Sequence, residues 1–593
     1  MRQPPPDLYS GLPMLFHSRM PSESAPARPR RWGVVLQLLA LTGTASLAAC
    51  ATQGNALSGA GTAQAAPANA SLSELLAAAD RATMSGQYPL AARWYVQAVK
   101  LTDDEQVVED AAQDCYDHQQ LQATMQIAQR WLVINPTSQQ AHELAAMSAI
   151  KLYQVDAAVE QLQALLDSAY ITPAAGFMEW LNKIPATDAH AALAVMKKLL
   201  MSHAQMAEAN YAVARLAELT DDLSTMMSHA QRAHELAPFW SPAGFLLARA
   251  QLLRGQTELA IQTGQSVVKN DDSLATRSEY ASLLLAADKP NEAVQLWKEL
   301  EQSEGDNSAA VRSLAYLDYQ VGNFQSAFNR FNMLLNSGNS VSECIFYLAG
   351  IAERTGATAE ARQLYGRVQE GQFAMSAQLR IAQIIKGSEG LTNALTYLQT
   401  YGETNPEEML LSLQARAQML SESGDEAATL KLYDQAVRDY PDVASLRMSR
   451  AFQLIKMDKI ALGLQTMREL VQSRPQDPTV LNSLGYTLLD YSKQYQQGYE
   501  YIEAAWRSSP DSAAIKDSMG WALFKLDRKE ESLVYLQQAA GMMRDDEIEL
   551  HLGEVLWSLS RHDEALAVWQ KALEHAPDNK SLQERIKRAG KLH

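Results

Sequence analysis

Few residues in this chain stand where they could do chemistry together. Ser266-Val267-Val268-Lys269 has the Ser-x-x-Lys spacing that sets a lysine amine beside a serine nucleophile for acyl transfer. Its companion motifs are absent, and the tetrad falls at the end of a predicted helix, so the match reads as coincidence. The eleven histidines are scattered; His229 and His234 share a helix, but no nearby cysteine or acidic cluster completes a metal site. Asp103-Asp104, Asp221-Asp222 and Asp545-Asp546 could pair as acid and base. All three stand at predicted helix starts, where carboxylates favour the helix dipole. The chain has no Walker phosphate loop, no His-Glu-x-x-His, no Gly-x-Ser-x-Gly and no Cys-x-x-Cys. The expectation is a protein that is not an enzyme, with no cofactor, no metal and no small-molecule substrate.

The three cysteines, Cys50, Cys115 and Cys344, are too few for a disulfide framework. Cys115 and Cys344 lie seven repeats apart in the register below and read as small buried hydrophobes. Cys50 differs. Arg28-Pro29-Arg30-Arg31 precedes an apolar run from Trp32 to Leu47, then Ala48, Ala49 and Cys50. That is the order of a secretory signal, and the run is shorter than the roughly 20 residues of a spanning helix. Leu47-Ala48-Ala49-Cys50 resembles the lipobox of bacterial lipoproteins. The resemblance implies cleavage after Ala49 and lipidation of Cys50; the absence of aspartate at Ala51 favours the outer membrane, facing the periplasm. Residues 1–49 are thus expected to be a signal peptide, with Met20 a plausible true start. Residues 50–71 are expected to form a lipidated N-terminus and a flexible linker. An uncharged Ala/Gly/Ser/Thr chain of this kind reaches about 25 Å.

The elements that must carry any function repeat. Leu484-Gly485-Tyr486, Met519-Gly520-Trp521 and Leu552-Gly553-Glu554 are spaced 35 and 33 apart. Twelve or thirteen residues beyond each glycine stands another small residue: Gly498, Ser532 and Ala565. Traced backwards, this slot holds Ala91, Thr124, Ala158, Ala192, Met226, Ala260, Ala293, Ala327, Ala361, Ala394, Thr429 and Gly463, so fifteen units run at intervals of 33 to 35. Only Met226 is large. Two antiparallel helices that pack closely need a small residue where their backbones approach, and a large apolar residue one turn on, such as Phe331, Ile502 or Trp569, fills the space beside it. Pro136, Pro238, Pro441, Pro475, Pro510 and Pro577 close units, because proline cannot continue a helix.

This pattern resembles the tetratricopeptide repeat, a helix-turn-helix of about 34 residues. The resemblance implies an all-α solenoid of up to fifteen repeats over residues 72–579. It is strong over 410–579 and 72–105 and weaker where first helices degenerate, around 170–190 and 370–390. Residues 580–593 are expected to be a polar capping helix. In such arrays the first helix of each pair lines a concave groove. Tyr486, Trp521, Phe524 and Trp557 fall on first helices and are candidate groove-binding anchors; the alternative is that they pack between repeats. Asn482, Asp517 and Leu550 occupy one position of the chaperone-type carboxylate clamp, and its basic and amide residues are not there.

The net charge is −17, from 51 basic and 68 acidic residues. Residues 1–49 hold five arginines against Asp7 and Glu23, a surplus of three, so cleavage leaves −20. That sign opposes binding to nucleic acid or anionic lipid, and leaves membrane contact to the anchor. The last three units also look like those of long tetratricopeptide lipoproteins of proteobacteria. One type is an outer-membrane adaptor for a periplasmic carboxyl-terminal processing protease. That resemblance implies protein partners: the protease, and substrates such as peptidoglycan hydrolases. An assembly factor for outer-membrane proteins or pili, or an activator of a cell-wall synthase, remains the alternative.

Overall fold

The computed structural model describes residues 70–589, apart from 169–170, 304–307, 339, 511 and 544. The expected signal peptide, the lipobox Leu47-Ala48-Ala49, Cys50, Met20 and nearly all of the linker lie outside the described residues. Among the described residues there are thirty-one α-helices and no strand. Thirty alternate as the first and second helices of fifteen units, numbered here as repeats 1 to 15, from Leu72–Met84 with Tyr88–Ala98 to Asp546–Ser558 with His562–His575. Each unit is a packed helix pair except repeat 4, where Pro173–Lys183 leans on Ala207–Leu219 and Ala189–Leu200 packs on Val155–Asp167. The last helix, Lys580–Ala589, buries Leu582 and Ala589 against repeat 15.

Each small-residue slot lies on a second helix and is buried, Met226 included. Repeat 5 admits Met226 because the facing helix, Ala207–Leu219, supplies the small surface instead: Ala209, Ala212, Ala214 and Ala217 are fully buried in the same core. The glycine pairs show how tight the approach is. A Cβ on Gly485 would stand 2.7 Å from the carbonyl oxygen of Gly498, and one on Gly498 would stand 2.8 Å from that of Gly485. In repeat 14 the Ser532 hydroxyl donates to the Gly520 carbonyl at 2.6 Å, a polar form of the same contact.

Starts and stops recur with the same period. Ser71, Asp104, Ser138, Thr172, Ser273, Asp477, Ser512 and Asp545 each cap a first helix through a side-chain oxygen. This satisfies amides that would otherwise lack partners. Each of the six prolines above follows the end of a second helix by two residues. Asp104, Asp222 and Asp545, one from each acidic pair, accept amides at helix starts, as the dipole argument requires. The two degenerate regions also form helices. Pro173–Lys183 is anchored by Phe177 and Trp180, and Ala374–Glu389 by Ile381 and Ile385; the shortened helix is the one before the second region, Thr358–Tyr365 of repeat 9.

Successive repeats stack side by side, and the first helices of neighbouring repeats touch along much of the array, as in repeats 5 to 8 and 13 to 15. The side on which like helices crowd together is the concave one. Cys115 and Cys344 are buried in repeats 2 and 9, and burial raises both thiols. No helix among the described residues is long and apolar enough to cross a membrane.

Candidate functional site: the groove face of the last three repeats

The first helices of repeats 13, 14 and 15 are Pro478–Ser492, Ala513–Lys525 and Asp546–Ser558. Residues four apart on a helix share a face. Asn482, Tyr486 and Asp490 therefore line one face of the first of these helices, and Asp517, Trp521 and Lys525 one face of the second. Stacking the helices brings these faces together.

The centre is His551, 5% exposed, whose Nδ1 lies 2.9 Å from Asp517 Oδ1 and 3.1 Å from Oδ2; Asp517 is fully buried. The Trp521 ring stacks on the imidazole, with centroids 4.0 Å apart and planes 17° off parallel, and its indole N–H donates to Asp490 at 3.0 Å. The Lys525 ammonium stands 4.0 Å from the centroid of the same ring. The Tyr486 hydroxyl donates to Glu547 Oε1 at 2.7 Å, tying repeat 13 directly to repeat 15.

Charge explains how this cluster holds. Burial by itself disfavours the imidazolium, but Asp517, with Glu547 and Asp490 further off, reverses that and lifts His551 to about 9. His551 is therefore a buried cation at neutral pH. Burial raises the Glu547 carboxyl and the Tyr486 phenol.

The four candidate anchors do not form one patch. Tyr486, Trp521 and Phe524 pack in one cluster, with Trp521 and Phe524 centroids 5.3 Å apart. Trp521 is only 7% exposed, held between repeats under His551; Tyr486 and Phe524 keep partly open faces. Trp557 belongs to a different contact, stacked on His562 at 4.1 Å and on Trp569 at 5.8 Å within repeat 15. His551, Glu547, Asp490 and Lys525 join the cluster without having been singled out in the sequence. The available signal was periodic: Asp517 and His551 are 34 residues apart, one repeat, and so meet across a repeat interface.

Nothing in this arrangement is an acid–base pair open to a substrate. Among the described residues no group of three or more His, Cys, Asp or Glu side chains could hold a metal ion. Ser266 and Lys269 lie near the end of Thr257–Asn270, the second helix of repeat 6. His229 donates its ring Nδ1–H to the amide oxygen Oδ1 of Asn210 at 3.0 Å in the packing of repeat 5.

No family model matches the chain. Over 209 residues it is 28% identical to the TPR repeat-containing protein PA4667 of Pseudomonas aeruginosa, a match covering 35% of this chain and 35% of that one. Over another 209-residue alignment it is 24% identical to Tetratricopeptide repeat protein 21B of Xenopus laevis, covering 34% of this chain and 16% of that protein. The matches thus span about a third and about a sixth of those relatives' lengths. Among solved structures, a chain of the Naa15/Naa10 assembly bound to HypK-THB is 14% identical, with a TM-score of 0.32, 88% of this chain covered and 96% of that one. A chain of the Cut9–Hcn1 hetero-tetramer is 13% identical, with a TM-score of 0.31 and coverage of 87% and 96%. The chain folds as an all-α solenoid of helix-turn-helix units and is similar, over about a third of its length, to tetratricopeptide repeat proteins. Its architecture is that of a scaffold suited to protein–protein interaction.

Proposed function

We propose that the chain is a non-catalytic scaffold, anchored to the outer membrane through lipidated Cys50 and facing the periplasm. In this reading it binds a carboxyl-terminal processing protease and brings to it substrates such as peptidoglycan hydrolases. The observation that carries the scaffold part is the run of fifteen helix-turn-helix units, whose first helices meet along one side in repeats 4 to 8 and 13 to 15. The lipobox-like sequence and the resemblance of the last three units to adaptor lipoproteins support the remainder. A surface this long has room for two partners at once. Holding both raises their effective concentration to about the millimolar range, so the scaffold needs no chemistry of its own. Tyr486 and Phe524, with partly open rings in a rigid frame, are the contacts proposed for one partner.

The test is a cleavage assay with purified components. Added at substoichiometric amounts, the lipid-anchored chain should raise the initial rate at which the protease cuts a peptidoglycan hydrolase. The Tyr486→Ala/Phe524→Ala variant should raise it less. An unchanged rate with the wild-type chain would remove the protease from this account.

A further inference from the structure

The array meets itself. Gln120 Nε2, in the turn of repeat 2, donates to the carbonyl oxygen of Asp439 at 2.7 Å. The Gln122 backbone N–H donates to Asp442 Oδ2 at 3.0 Å. The Arg474 guanidinium donates to the carbonyl oxygen of Lys151 in repeat 3. Tyr88 of repeat 1 is sandwiched between His118, at 4.3 Å, and Tyr440, at 5.7 Å. Met409 and Leu410 of repeat 11 belong to the same apolar spot. The partners in these hydrogen bonds are 319 to 323 residues apart. With 474 residues between the first and the fifteenth slots, hence a mean period of about 33.9, that separation is about nine and a half repeats.

The geometry is specific. Repeats 1 to 3 contribute the turns between their paired helices, or residues just beside them: Tyr88, His118 to Gln122, Lys151 and Tyr153. The later repeats contribute the connections that follow their second helices: Asp439 to Asp442, and Arg474 to Asp477. These are opposite edges of the helical ribbon. One edge of the first superhelical turn therefore sits on the other edge of the second, and the concave surface between them is closed into a ring.

The materials of this seam differ from those of the joints between neighbouring repeats. Those joints bury many close-packed apolar side chains, with charged pairs such as His551–Asp517 added in places, whereas the seam has one aromatic contact with a few apolar neighbours and scattered hydrogen bonds to backbone. It also covers charge at a cost. Burial pushes the carboxyls of Asp439, Asp442 and Asp477 up and the Arg474 guanidinium down, and the ion pair of Arg474, with Asp477 at 3.6 Å, lies on its own side of the seam. Desolvated groups that regain water on separation make an interface easy to part.

We infer that the contact between Gln120, Gln122 and Lys151 on one side and Asp439, Asp442 and Arg474 on the other is a releasable closure. Closed, it admits to the concave surface only what can enter along the ring axis; open, it lets a folded partner enter from the side. The idea rests on the binding-scaffold reading and is independent of which partner is bound.

The experiment measures the closure itself, so its failure is distinct from a failure to find the protease. Spin labels are placed on the full lipid-anchored chain in detergent at Gln126→Cys, in repeat 2, and Lys431→Cys, in repeat 11, both exposed and outside the contact, with Cys115→Ala and Cys344→Ala. Pulsed electron paramagnetic resonance then reads the distance between the two turns. The expected result is a dominant short distance that shifts to a longer, broader population in Asp442→Ala/Arg474→Ala. Helix content by circular dichroism should not change, and the cap variant Asp222→Ala in repeat 5 should leave the distance where it was. A long, broad distribution in the parent chain would show that the turns do not meet. A short distance unmoved by the double variant would show a fixed joint. Either overturns the proposal. If the double variant loses helix content, Gln120→Ala alone gives the same reading with one hydrogen bond removed.

Discussion

His551 and Asp517, one repeat apart in sequence, form a buried charged pair, with Nδ1 of the imidazole donating to the carboxylate at 2.9 Å. Trp521 covers the imidazole on one face, so the pair holds two repeats in register at the wall of the groove.

The pair makes the last repeats sensitive to alkali. His551 titrates at about 9 in the fold against an ordinary 6.5, so the fold binds the proton more tightly than the unfolded chain does. The stabilisation is complete below about pH 6.5 and is lost as the pH rises through about 9. It is worth about 3 kcal/mol, since each pKa unit corresponds to roughly 1.4 kcal/mol. Hydrogen exchange over residues 478–575 should therefore quicken between pH 6.5 and 9, after correction for intrinsic rates, while repeats 5 to 7 lack this step. In Asp517→Asn the same region should be less stable at pH 6.5 and should lose the dependence. A wild-type profile flat across this range would show that His551 is neutral.

The close helix approach should tolerate no methyl group. Gly485→Ala would place its Cβ against the backbone oxygen of Gly498 and the side chain of Ile502, at 2.7 and 2.6 Å. The backbone cannot give way there, and the cost should be about 2 kcal/mol, read as faster exchange in repeat 13. Gly387→Ala is the counterpart. That glycine is inside the helix Ala374–Glu389 with nothing near its Cβ, so alanine should stabilise repeat 10 by about 0.5–1 kcal/mol. Equal effects at both positions would mean that space is not the deciding term.

The turn between paired helices offers a third test. A residue with positive φ recurs there: Gly86, Gln119, Tyr153, Asp221, Gly255, Asp288, Gly322, Gly356, Gly424, Asp458, Lys493, Asp527 and Ser560. Side chains with a Cβ are strained in this region, and Lys493 is exposed, with φ of 55°. Lys493→Gly should stabilise repeat 13 by about 0.5–1 kcal/mol, the relief of strain exceeding the added freedom of the unfolded chain. A loss of stability would point to a contact made by the lysine stem.

What could be read from the sequence follows from what is local. The small-residue slots mark helix contacts, so Ala91 to Ala565 revealed the fifteen units, and the prolines marked the ends of second helices. What the slots did not reveal is that Ala192 of repeat 4 sits on a helix packed against the preceding and following units rather than on its own first helix. Even Met226 kept its place, because the missing space was supplied by alanines on the facing helix. The recurrent positive-φ position stayed hidden because only some of its occupants are glycine; Gln119, Tyr153 and Lys493 announce nothing. His551–Asp517 joins two units and is visible only when repeats are laid over each other. The contact between Gln122 and Asp442 lies further off still. It depends on curvature accumulated over nearly ten repeats, which no local pattern encodes. The candidate anchors divided for the same reason: Tyr486, Trp521 and Phe524 converge across a repeat interface, while Trp557 turns to His562 in its own repeat.

The most direct test of the scaffold is an affinity pull-down from detergent-solubilised envelope, using the chain from Cys50 onward with a C-terminal tag and mass spectrometry. The account predicts recovery of a carboxyl-terminal processing protease together with wall hydrolases, reduced in Tyr486→Ala/Phe524→Ala while helix content is unchanged. Recovery of outer-membrane assembly or pilus components in their place, unaffected by that variant, would contradict both the proposed pathway and the proposed surface.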